Sequence, residues 1–174
     1  MSSKNNPQKE PLWLIGFTIH ADSRSPDLYT LIFPGDVDEP LQVDNYLIFF
    51  SAPELAEQAI ALGSNDRQNY APPPQEVDLV CDVAQTLYLI SQADIDPAAT
   101  VINCLNTMFD LVRATNIPMP SEYKRILYAF ADHLTFNREL STFFAEHQLS
   151  RQAVLEAVTW SIGAVVSKSK LVGG

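Results

Sequence analysis

Three consecutive prolines, Pro72 to Pro74, separate a stretch patterned for strands from a stretch patterned for helices. Before them three segments are patterned for strands and one for a helix; after them apolar residues recur every three or four positions. Strands and one helix followed by a run of helices, with a stiff polyproline break between them, point to an α+β domain or to two small domains. No unit of 20–50 residues recurs, which argues against a solenoid. The pattern predicts an α+β fold.

Residues 1–11 are polar, hold Pro7 and Pro11, and read as a loose arm. In LWLIGFTIH, residues 12–20, Trp13, Ile15, Phe17 and Ile19 share one face, which predicts a strand buried on that side. Asp27–Phe33 is rich in aromatic and β-branched residues and predicts a second strand. PGDVDEP, residues 34–40, stops it and predicts a projecting acidic loop. Asp44–Phe50 predicts a third strand, apolar on both faces near its end. Ser51 and Glu54 have capping-box spacing at the start of a helix that Gly63 is placed to end.

Residues 64–75 form the clearest linker. Five helices are predicted beyond it: about 76–92; 96–115, with Asp96 as N-cap and Pro97 at the first helical position; one from Ser121; one over 138–147; and one after Ser150. The expected architecture is a three-stranded antiparallel sheet with one helix, followed by a bundle of about five helices. It is read as one composite domain over 1–174, made of a β-β-β-α part at 12–63, the linker, and a helical part at 76–170. A core of some sixty residues is marginal alone, so packing of sheet on helices is favoured over two small domains.

The net charge of −10 is unevenly spread. Residues 22–110 hold fifteen acids against Arg24 and Arg67, a net of −13, whereas residues 111–174 hold seven bases and five acids. Such a field repels nucleic-acid phosphates and anionic membranes and attracts basic proteins. It also serves plain solubility. The N-terminus lacks the apolar core of a signal peptide and no apolar run reaches the ~20 residues of a span, so a cytoplasmic location is expected.

Chemistry-bearing motifs are scarce. Asp36, Asp38 and Glu39, with Asp44 nearby, offer hard-cation oxygens but lack EF-hand spacing. His20, His133 and His147 show no metal-ligand spacing and read as surface or boundary residues, with His20 the best placed for a site. Cys81 and Cys104 fall on successive predicted helices, where two reduced core thiols are the default in a reducing compartment. No phosphate loop or nucleophile elbow occurs. The last helix is apolar on two sides, one carrying Trp160 among Ala153, Ala157 and Ala164, which suits either burial or an interface, including one between copies of the chain.

The expected function is therefore a small acidic interaction module, of inhibitor, immunity or chaperone type, that binds a basic protein. Asp36, Asp38, Glu39, Asp44 and Trp160 are its predicted contact residues, and no metal, cofactor, nucleic acid or membrane is called for. The alternative is an enzyme of unrecognised type with carboxylates around a divalent metal.

Overall fold

The structure, a computed structural model, describes residues 9–63, 65, 68–92, 98–137 and 139–173. Among the described residues it is α+β, with a seven-stranded mixed sheet and six helices. The strands are β1 (Trp13–Thr18), β2 (Leu28–Phe33), β3 (Glu39–Pro40), β4 (Gln42–Val43), β5 (Tyr46–Phe50), β6 (Leu79–Asp82) and β7 (Ser169–Val172). The helices are α1 (Ala56–Leu62), α2 (Val83–Gln92), α3 (Ala98–Ala114), α4 (Ser121–Asn137), α5 (Leu140–His147) and α6 (Arg151–Ser167). The proposed caps Asp96 and Pro97 lie outside the described residues.

The three predicted strands form the antiparallel centre, in the order β5-β2-β1. Leu41, fully buried, wedges β2 from β5: its N–H donates to the Leu31 carbonyl and its own carbonyl accepts from Ile48, each at 2.9 Å. Two parallel strands add the margins, β6 along β1 and β7 along β5. The sheet therefore has seven strands, not three. Residues 79–82 were expected to begin a helix because their apolar positions continue the spacing of α2. A four-residue strand is too short for its own period to show.

Both faces of the sheet are covered, which corrects the one-sided reading of β1. Leu12 and Leu14 join Leu31, Ile48 and Phe50 under α1, while Ile15 and Phe17 join Ile32, Leu47 and Phe49 under α3 and α6. Residues 47–50 alternate between these two cores, as a central strand must. Gly16 is required by close approach, since a Cβ there would lie 2.5 Å from Pro26 Cγ. Trp13 and Ile19, predicted to be buried, are 39% and 47% exposed at the two ends of the β1 stripe.

The helical core lies among α2, α3, α4, α5 and α6, around Leu105, Phe130, Phe143 and Val158. The predicted cap of α6 is present, with the Ser150 side chain accepting from the Ala153 N–H at 3.1 Å. The Ser51–Glu54 capping box is absent. Pro53 instead takes the opening position of a 3-10 turn, Ala52 becomes its N-cap without a side-chain bond, and α1 begins at Ala56. Gly63 ends α1 in an extended conformation rather than a left-handed one. The proline segment is no free linker where described: Tyr70 donates its hydroxyl to the Pro34 carbonyl at 2.8 Å, and residues 69–71 bond Glu10 on both sides.

Candidate functional site

The acidic segment folds back on the sheet. Glu39 and Pro40 pair with Phe33 and Ile32, so residues 34–38 make a compact turn rather than a freely projecting loop. Inside it the Asp38 carboxylate accepts from the Gly35 N–H at 3.3 Å. Arg113, from the last turn of α3, donates to the Asp38 carbonyl at 2.7 Å and pairs with the Asp110 carboxylate at 2.8 Å. Asp36 and Glu39 remain exposed, and Asp38 is half-buried.

Asp38 and Asp110 face one cleft of about 190 Å³ between the sheet and α3. Ile15, Ile32 and Leu79 make its floor, the half-exposed Trp13 one flank, and Asn103, Asn106 and Thr107 the helix wall. Residues 103, 106, 107 and 110 share a wall because spacings of three and four return to one helix face. Burial pushes the Asp110 carboxyl above the ordinary carboxylate range; Arg113 pulls it down and the charge of Asp38 adds to the rise. Two carboxylates, two carboxamides and an indole suit a cationic hydrogen-bond donor. Drug-sized ligands need pockets of roughly 300–1,000 Å³, so this cleft has room for one long side chain.

The remaining predicted contact residues are dispersed. Asp44 and Asn45, both at positive φ, form the turn between β4 and β5, and Asp44 does not line the cleft. Its residue type is explained by the turn. Trp160 is half-buried, its ring 6.2 Å from that of Tyr123, and it packs against the core between sheet and helices. The buried stripe of α6 runs through Val154, Ala157, Val158, Ser161, Ala164 and Val165, drawn from both of the faces predicted for it. Its exposed Val166, with Leu171 and Ile19, rims an apolar groove of about 370 Å³ that Lys170 also lines.

His20 is exposed and sits 3.3 Å from Asp27, whose carboxylate organises the β1–β2 turn. Asp27 accepts from the Ser23 hydroxyl and from the Ile19 and His20 N–H groups, and these bonds hold its carboxyl well below the usual range. Cys81 and Cys104, expected on successive helices, are neighbours on β6 and α3. Their sulfurs lie 2.9 Å apart in the core, and the hydrogen bond to Cys104, then burial, push the Cys81 thiol up.

Sequence reading missed Trp13, Asp110 and the α3 wall as site residues. The amide-and-acid spacing Asn103, Asn106, Asp110 was visible, but only the fold brings Trp13 and Asp38 opposite it. Asp36, Asp38 and Asp44 do not converge as a ligand set. Among the described residues, the group able to close around an ion is His133, Glu146 and His147 on α4 and α5. His133, expected near the surface, is buried. No helix among the described residues is long and apolar enough to cross a membrane. No known protein family, curated protein or solved structure matches the chain.

Proposed function

We infer that this protein is an interaction module for a basic partner protein, which inserts a lysine or arginine side chain into the cleft between Trp13 and α3. An inhibitor, an immunity-type protein or a chaperone of a basic client would each work in this way. The observation that carries the reading is the cleft itself: Asp38 and Asp110 share a small cavity with a half-exposed indole. Arg113 neutralises one of the two carboxylates, leaving the site short of positive charge.

The roles divide by position. Exposed Asp36 and Glu39, within a segment of net −13, steer the encounter. Steering of this kind weakens as the screening length falls from ~8 Å at physiological salt to ~3 Å at 1 M. Asp38 and Asp110 hold the inserted cation and govern dissociation, because a desolvated charge pair acts on the off-rate. Asp44 adds to the long-range field, and Trp160 stabilises the scaffold.

A photo-crosslinking phenylalanine analogue at position 13, expressed in the native host, tests the reading. The expected adduct is a basic protein, lost when Asp38→Asn and Asp110→Asn are combined. Adducts with acidic proteins, or adducts indifferent to those changes, overturn it.

A further inference from the structure

We propose that His133, Glu146 and His147 form a binding site for a divalent transition-metal ion of the zinc class at the joint between α4 and α5. His133 stands in the last turns of α4, and Glu146 and His147 close α5, so the return of the chain brings them together. One ligating atom from each lies within 4.8 Å of the others.

The hydrogen bonds around His133 set the orientation of its ring. Its Nε2 lies 3.0 Å from the Glu139 carbonyl and 2.8 Å from the Thr142 hydroxyl oxygen. The carbonyl only accepts, and the Thr142 hydroxyl already donates to that same carbonyl at 3.0 Å. Both partners therefore require the proton on Nε2. Nδ1 points the other way, 3.6 Å from a Glu146 carboxylate oxygen. An imidazole that gives one N–H to a backbone carbonyl and turns its other nitrogen to a carboxylate has the arrangement of a metal-bound histidine with its supporting shell.

The third donor is positioned by packing. His147 stacks on buried Phe143, with centroids 4.5 Å apart, and stands at 85° to the His133 ring. Two imidazoles and one carboxylate favour zinc-class ions over magnesium or calcium, which prefer oxygen alone. Bonds of roughly 2.1 Å place tetrahedral ligands about 3.4 Å apart. The contraction from 4.8 Å falls mainly to the exposed Glu146 side chain, with a smaller shift of His147, whereas His133 is held from behind. Three protein ligands leave the fourth position to water, and the ion would clamp α5 onto α4.

The test is calorimetric titration of the chelator-stripped full chain with zinc chloride, with magnesium chloride as control. One zinc ion per chain is expected, with affinity at least tenfold weaker in His147→Ala and in Glu146→Gln. Both side chains are exposed, so circular dichroism should report an unchanged fold. Cobalt substitution supplies a second readout, a visible ligand-field band that weakens in each variant. Thr142→Val, which removes support behind His133, should also weaken binding. No zinc binding up to 1 mM, or zinc binding unaltered by both ligand substitutions, overturns the site.

Discussion

Arg113 donates to the backbone carbonyl of Asp38 at 2.7 Å, fastening the end of the β2–β3 turn to the end of α3 across 75 residues of sequence. The same guanidinium nitrogen reaches the Asp110 carboxylate, so one side chain ties the Asp38 backbone to the acid of the α3 wall.

Arg113→Gln should therefore loosen the turn more than it destabilises the chain. Its side chain is 49% exposed, and exposed pairs contribute about 0–1 kcal/mol. The melting temperature should fall by no more than about 4 °C. Amide hydrogen exchange at residues 35–38 should accelerate while exchange in β1 and α4 does not change. Uniform acceleration would contradict the pinning role.

Asp110→Asn should raise stability at neutral pH. Burial lifts the folded carboxyl above its unfolded value, despite Arg113. The folded chain therefore gains from protonation. That gain is complete below the unfolded value of about 3.9 and is lost as pH rises through the raised folded value. Ionised Asp110 is thus a cost at pH 7 that asparagine avoids. Paired melting curves should show the variant more stable at pH 7 and equal to the parent near pH 3. A less stable variant at pH 7 would refute this. Stability given up at a binding residue is the usual trade at functional sites.

Asp27→Asn should behave in the opposite sense. Bonds from Ser23, Ile19 and His20 depress the folded carboxyl. Its contribution is therefore present above the unfolded value of about 3.9 and lost as pH falls toward the depressed folded value. The variant should melt lower than the parent at pH 7, with the gap closing only below about pH 4. A gap unchanged down to pH 2 would exclude the carboxylate as its source.

Cys81 and Cys104 should be silent toward a thiol reagent until the chain unfolds. Both are buried, and the Cys81 thiol is pushed up; nucleophilic reactivity needs an accessible thiolate. Ellman's reagent should titrate no fast thiol in buffer and two in concentrated urea. A fast thiol in the native protein would show that β6 opens readily from α3.

The α+β class, the central strands and the α6 cap were legible because each carries its own local signal: alternation in residues 28–33, a serine before a helical stripe at Ser150. The edge strands were not. Residues 79–82 and 169–172 are too short for a period and become strands only because β1 and β5 offer them edges. Trp13 was misjudged because alternation gives the side of a sheet, not its distance from the end of the core. The cleft was half-legible. Asp36, Asp38 and Glu39 stood out by charge, but Asp110 and Trp13 join them through contacts that no local pattern encodes. His133 and His147 read as surface or boundary residues, and Glu146 did not stand out, because their convergence follows the α4–α5 turn and not a helix repeat.

Trp13 reports most directly on whether the cleft takes a basic side chain. The measurement is a heteronuclear NMR titration of the ¹⁵N-labelled chain with a tri-arginine peptide at low salt, followed at the Trp13 indole N–H and the backbone amides. Saturable shifts are expected, confined to Trp13, the 34–38 turn and the 103–110 face of α3. Those shifts should disappear in the Asp38→Asn, Asp110→Asn double variant and weaken sharply at 0.5 M salt. Shifts spread evenly over the acidic surface, or a Trp13 signal that does not move while the peptide binds elsewhere, would contradict insertion of a basic side chain into the cleft.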